Sequence, residues 1–239
     1  MSESKKVRGV ADIVFLIDVT GSMQPCIDAL RDNIRTFIDT LSTSDANNSN
    51  PIKDWRGRVI GYRDHKHDDE WLVQFPFVRD ATELKGQLSK LQAQGGGDEP
   101  ESLLDALYMV STCPQGSKGE VDELKWRYFS DASRVVVLFT DATYHAKMTI
   151  PEAAGGDVDD VINHLTTSKI LLTYFAPNLP CYDELAKLPK SAFECIDIEP
   201  GMAPHQALSA FTSKPESFTK TMEKLARSVS QSAFVPPAN

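Results

Sequence analysis

Three short stretches of this sequence carry oxygen donors at spacings suited to a cation. Asp18, Thr20 and Ser22 alternate through Asp18-Val19-Thr20-Gly21-Ser22, which puts one carboxylate and two hydroxyls on a single turn. Asp98 and Glu101 stand in Gly97-Asp98-Glu99-Pro100-Glu101, and Asp141 stands in Thr140-Asp141-Ala142-Thr143. These are hard ligands, and a divalent cation such as Mg²⁺ needs carboxylates, hydroxyls and retained waters converging on one point. The expected cofactor is therefore Mg²⁺, with Mn²⁺ or Ca²⁺ as alternatives. Zinc is not expected, because these loops hold no histidine or cysteine. Neutral hydroxyls would hold the ion without cancelling its charge, leaving it able to attract an acidic oxygen from outside.

Such donors converge only if the elements that carry them end together. Residues 13–17 and 135–139 are apolar runs that read as strands covered on both faces, and each leads into an acid. In an open α/β sheet, ligands gather outside the carboxyl ends of the strands. Apolar periodicity predicts helices over 24–43, from Thr82 through Leu91 to the Gly95-Gly96-Gly97 stop, from Leu103 to Val110, over 158–165, at 182–188 and over 218–229. Further strands are expected at 55–64, 71–78, 170–175 and 193–198. Pro76 cannot donate to a ladder, so the 71–78 strand belongs at an edge, and its short link to the strand before it predicts an antiparallel hairpin. The charged run 63–70 reads as a solvated hairpin tip, and 114–133 as a surface segment anchored by Trp126. The sum is an α/β fold, a Rossmann-like, doubly wound, mostly parallel six-stranded sheet with one antiparallel edge strand and helices on both faces. One domain over 12–231 is expected, between a loose arm (1–11) and a tail (232–239).

Composition narrows the function classes. The chain has 34 acidic against 25 basic residues, a net charge of −9, and no basic cluster, which argues against a nucleic-acid or anionic-membrane surface. Its first apolar run is too short for a membrane span, and the polar residues before it do not resemble a signal, so a cytoplasmic protein is expected. The four cysteines form no C-x-x-C pair and read as reduced, mostly buried thiols.

The residues also carry a resemblance. Asp18-Val19-Thr20-Gly21-Ser22-Met23 resembles the D-x-S/T-x-S motif of the von Willebrand factor type A (vWA) domain, whose metal-ion-dependent adhesion site lies at the top of a Rossmann-like sheet. Gly97-Asp98-Glu99-Pro100-Glu101, Trp126-Arg127 with Asp131-Ala132-Ser133, and Phe139-Thr140-Asp141-Ala142 with His145 resemble, in order, segments of the I-like domain of integrin β subunits. The resemblance implies Asp18, Thr20, Ser22, Glu101 and Asp141 as ligands, and a protein partner whose acidic side chain completes the ion's coordination. It also implies a non-enzymatic scaffold module. The adjacent inhibitory metal site of integrins is expected to be missing, because Pro25 and Cys26 stand where its acids would be. A neighbouring second site is matched only by Asp98 and Asp64. Cell adhesion itself is not carried over.

A reading of another class is a Mg²⁺-dependent phosphohydrolase using Asp18 as nucleophile, in the manner of haloacid dehalogenase-like enzymes. Those generally need a second acid two residues on, where this chain has Thr20. A dinucleotide-binding enzyme fails sooner, because the turn after the first strand has one glycine and not G-x-G-x-x-G.

Overall fold

The computed structural model describes residues 9–43, 51–96, 99–189 and 191–234. Strand β1 (Val10–Asp18) runs through the centre, and its side chains alternate between two cores. Ile13, Phe15 and Ile17 enter one core, and Val14 and Leu16 enter the other. Strand β2 (Asp54–Tyr62) lies parallel on one side, with Val59 opposite Phe15. After the short β3 (Leu72–Gln74), which pairs antiparallel with β2, strand β4 (Ser133–Phe139) lies parallel on the other side of β1, with Val137 opposite Phe15. Strands β5 (Ile170–Pro177) and β6 (Ala192–Ile196) continue the parallel set, giving a six-stranded sheet in the order β3-β2-β1-β4-β5-β6. The expected sheet, its antiparallel edge and its helices on both faces are all found.

Helices cover the two faces because their apolar stripes have nowhere else to go. On one face lie α1 (Gln24–Ser42) and α2 (Ala81–Leu88), burying Ile27, Leu30, Phe37 and Leu84. The opposite face receives α3 (Leu103–Thr112), α4 (Val158–Thr167) and α5 (Tyr182–Leu185), through Leu103, Leu107, Val161, Leu165 and Leu185. Two C-terminal helices, α6 (Pro204–Thr212) and α7 (Pro215–Phe234), join the first face through Leu208, Phe218, Met222 and Leu225. Asp80 caps α2, accepting from the backbone amides of Thr82 at 2.7 Å and Glu83 at 3.1 Å, and Asp157 caps α4. Among the described residues no helix is long and apolar enough to cross a membrane.

Several expectations need correction. β1 begins at Val10, inside the stretch read as an arm, because Val10 and Ala11 pair with Asp54 and Trp55. At the other end α7 continues to Phe234, past the expected tail boundary at 232. β3 has three residues where eight were expected: Phe75 still donates to the Val59 carbonyl, but Pro76 breaks the ladder, which resumes only at the isolated Gly57–Val78 bridge. α2 stops at Leu88, seven residues before Gly95, and α6 had no counterpart in the sequence reading. Only Cys26 is buried; Cys113 and Cys181 are half-buried and Cys195 is exposed. Nor is 63–70 simply a solvated tip, since Arg63 and Asp64 are buried while Lys66 and His67 are exposed.

The base of the sheet, remote from the strand ends that carry the acids, is tied by a buried ion network. Asp12 is fully buried in β1 and accepts from Arg56 Nε at 2.8 Å, Arg56 Nη2 at 2.7 Å, Arg127 Nε at 2.6 Å and the Arg127 amide at 2.7 Å. Arg56 also donates to the carbonyls of Asp122 and Lys125, so the 114–132 segment is fastened to the sheet by guanidinium groups. Trp126 is buried beside them and donates from Nε1 to the Val110 carbonyl at 3.1 Å, which makes it the anchor the sequence suggested.

Candidate metal centre

Parallel strands deliver their last residues to one edge, and here that edge collects the acids. Ile17 of β1 is in register with Phe139 of β4, so Asp18 and the pair Thr140-Asp141 leave the sheet side by side. Asp18 is 0 % exposed. Its Oδ1 accepts from the Thr20 amide at 2.9 Å and from Thr20 Oγ1 at 2.7 Å, which folds the turn back over the strand end, and its Oδ2 accepts from Thr140 Oγ1 at 3.0 Å. Burial, reinforced by the charge of Asp141, pushes the Asp18 carboxyl up to about 7 despite these hydrogen bonds. Burial likewise raises Asp141, opposed by a hydrogen bond from the Ser22 side chain.

Glu101 reaches the same place on a different loop. Its amide donates to the Thr143 carbonyl at 2.9 Å and its carbonyl accepts from the His145 amide at 3.0 Å, so it rides on the chain that follows Asp141. The next residue extends the tie: Ser102 Oγ donates to Asp64 Oδ1 at 2.9 Å, and His145 Nε2 lies 3.0 Å from the same oxygen. Burial works to raise Asp64, but hydrogen bonds from the Lys66 amide, His145 and Ser102 outweigh it and hold the carboxyl below its ordinary value. Glu101 has no such compensation. Burial, then the nearby charges of Asp18, Asp64, Asp68 and Asp141, push it up to about 9.

Glycines make the approach possible. The Gly95 carbonyl accepts from the Gly21 amide at 3.4 Å, laying the 93–96 loop across the Asp18–Ser22 turn. Gly96 has φ +74, and a Cβ there would stand 2.9 Å from both Glu101 Oε1 and Thr20 Cβ. Only a residue without a side chain lets Glu101 come this close to Thr20.

The result is a cleft of about 550 Å³ whose walls include Thr20, Ser22, Glu99, Glu101, Asp141 and His205. One buried oxygen of each of two wall acids, Glu101 Oε2 and Asp141 Oδ2, has no hydrogen-bond partner. A buried carboxylate oxygen without a donor is costly, and a cation is one way to satisfy it. Among the described residues no three His, Cys, Asp or Glu side chains are gathered tightly enough to hold a metal alone. The donor set fits instead a hard cation held by carboxylates, the Thr20 and Ser22 hydroxyls and water.

Asp18, Thr20, Ser22, Glu101 and Asp141 thus converge on one edge, with Asp18 behind Thr20 and the other four on the cleft wall. Asp98 lies outside the described residues. Asp64 is taken up by Ser102 and His145, and Lys66 Nζ stands 3.1 Å from His145 Nδ1 on the far side of that ring. Glu99 is exposed. Two contributors were missed. Thr140 was open to discovery, since it precedes Asp141 and the strand register places it beside Asp18. His205, which puts a histidine at a site expected to have none, lies at the start of α6, where Pro204 followed by Ala207, Leu208 and Phe211 was the available signal.

Residues 12–118 match the family model described as von Willebrand factor A domain. A curated relative, the alpha-protein kinase vwkA of Dictyostelium discoideum, is 26 % identical over 134 residues, covering 56 % of this chain; the match spans 19 % of the relative's own length. Among solved structures, proximal thread matrix protein 1 from the mussel byssus superposes with a TM-score of 0.55 at 15 % identity, over 94 % of this chain and 49 % of that one. The SpRpn10 VWA domain does so with a TM-score of 0.52 at 11 % identity, over 87 % and 97 %. The fold is that of von Willebrand factor A domains.

Proposed function

We propose that this von Willebrand factor A domain is a non-enzymatic, cytoplasmic binding module that holds Mg²⁺ (or Mn²⁺ or Ca²⁺) at its cleft and through it takes an acidic side chain of a protein partner. The observation that carries the reading is the pair of buried, unpartnered oxygens on Glu101 and Asp141, set beside the Thr20 and Ser22 hydroxyls in one cleft. Asp18, Ser22 and Asp141 would hold the cation, with Thr20 and Glu101 contributing. A bound dication offers an open coordination position to an incoming carboxylate. Thr20 and Thr140 orient Asp18 from both of its oxygens, and the Gly95-Gly96 loop keeps Glu101 against Thr20. The family's role in protein interaction and the acidic net charge favour a protein partner over nucleic acid or membrane.

A nucleophilic aspartate of the haloacid dehalogenase-like kind generally works with a second acid two residues on, and Thr20 stands there with its hydroxyl spent on Asp18 Oδ1, which favours the binding reading over nucleophilic catalysis. Calorimetric titration with Mg²⁺ tests the proposal. Wild-type protein should bind one cation, Asp141→Asn should bind it at least about tenfold more weakly, the loss of one charged ligand, and neither should hydrolyse an aryl phosphate. Equal affinity in both proteins, or Mg²⁺-dependent hydrolysis that Asp18→Asn abolishes, would overturn it.

A further inference from the structure

The cleft is larger than one carboxylate needs, and its walls differ in chemistry. Glu99, Glu101 and Asp141 are acids and Thr20 and Ser22 bear hydroxyls, while His205 is the single nitrogen-donor side chain among the described lining residues. It is exposed, and it stands close enough to Asp141 for its charge to favour that carboxylate. It also sits in the first turn of α6, a helix whose N-cap, Ala203, has no side-chain acceptor to offer the first-turn amides. The positive end of the helix therefore faces the cleft together with the imidazole. Glu101 and Asp141, which line the same cleft, each keep one buried oxygen without a partner, and this points to a ligand there.

We propose that the partner's carboxylate is shared: one oxygen goes to the cation and the other accepts a hydrogen bond from the His205 ring, which makes His205 the residue that selects a carboxylate over a neutral oxygen donor. An imidazole offers at least one N–H in either charge state, so the contact does not depend on its titration. Without His205, no nitrogen-donor side chain among the described lining residues would remain for the second oxygen of an incoming acid. A neutral amide or hydroxyl brings a single oxygen to the cation and gains nothing from the α6 wall. The inference rests on the cation reading above, and the experiment separates the two.

The probes are the blocked tripeptide acetyl-Gly-Asp-Gly-amide and its Asn counterpart, titrated into isotopically labelled protein by NMR with saturating Mg²⁺ or with EDTA. The aspartyl peptide should shift the His205 ring nitrogens only when Mg²⁺ is present. At saturating Mg²⁺, His205→Leu should weaken that peptide about 10- to 150-fold, the range for one hydrogen bond to a charged group, while leaving the weaker asparaginyl binding unchanged. His205→Gln, which keeps an N–H donor, should recover most of the loss. Equal Mg²⁺-dependent binding of the aspartyl peptide to wild type and His205→Leu would overturn the role of His205 and leave the cation reading standing. Peptide binding that ignores Mg²⁺ would overturn the cation reading itself. No binding up to the solubility of the peptide would overturn the shared-carboxylate proposal.

Discussion

Asp18 and Glu101 hold protons that free carboxylic acids would have lost, up to about 7 and about 9 respectively, because both are buried beside other acids. Folding thus binds protons at these groups. Their contribution to stability is fully present below the ordinary carboxylate range and is lost as pH rises through about 7 and then about 9. Metal-free protein should therefore melt at progressively lower temperature between mildly acidic and mildly alkaline pH, as differential scanning calorimetry would show. Cation binding must displace those protons, so Mg²⁺ affinity should tighten with pH over the same interval. Asp18→Asn keeps an acceptor for Thr20 and presents an amide to Thr140. It should stabilise the metal-free protein at pH 8 by about 1–3 kcal/mol, the scale of a relieved buried charge, while abolishing Mg²⁺ binding. At this scale the sequence was readable where donors are contiguous, as in Asp18-Val19-Thr20-Gly21-Ser22. Thr140 and His205 were passed over, because their signals are indirect: one role comes from strand register and the other from a helix arriving from elsewhere.

Among the elements, the 93–96 loop decides whether the acids can meet. Gly96→Ala would put a Cβ 2.9 Å from Glu101 Oε1 at φ +74. It should cost about 1–3 kcal/mol as a strained left-handed position and weaken Mg²⁺ binding, because Glu101 or Thr20 must retreat. Gly86, within α2 and with nothing near its Cβ position, is the control. Gly86→Ala should stabilise by about 0.5–1 kcal/mol and leave Mg²⁺ affinity alone; chemical denaturation and calorimetry measure both effects. Long periodic segments such as α1 and α7, and apolar runs such as β1 and β4, were legible because burial imposes its own spacing on them. α6 was not, since only Ala207, Leu208 and Thr212 of its nine residues are buried. The glycine run was read as the stop of α2, whereas Gly95 and Gly96 cross the Asp18–Ser22 turn.

Across the whole molecule, the two ends of the sheet are built for different ends. Six residues along β1 from Asp18, about 20 Å at the rise of a strand, Asp12 holds Arg56 and Arg127 at the base. Removing one partner of a buried ion pair leaves the others uncompensated, so Asp12→Ala should cost about 3–5 kcal/mol. Its folded fraction should still bind Mg²⁺ with wild-type affinity. The mostly parallel six-stranded sheet and its antiparallel edge were deducible from alternating strand and helix patterns; the arginine network was not, because Asp12 lies inside an otherwise apolar strand and its partners come from distant segments. The central claim, that the acids at the top hold a cation, is tested most directly by an anomalous difference map from a crystal soaked in Mn²⁺. One peak is predicted, within coordination distance of Ser22 and Asp141 and beside Asp18. A peak elsewhere, or none while soaked Mn²⁺ is in excess, would contradict the account.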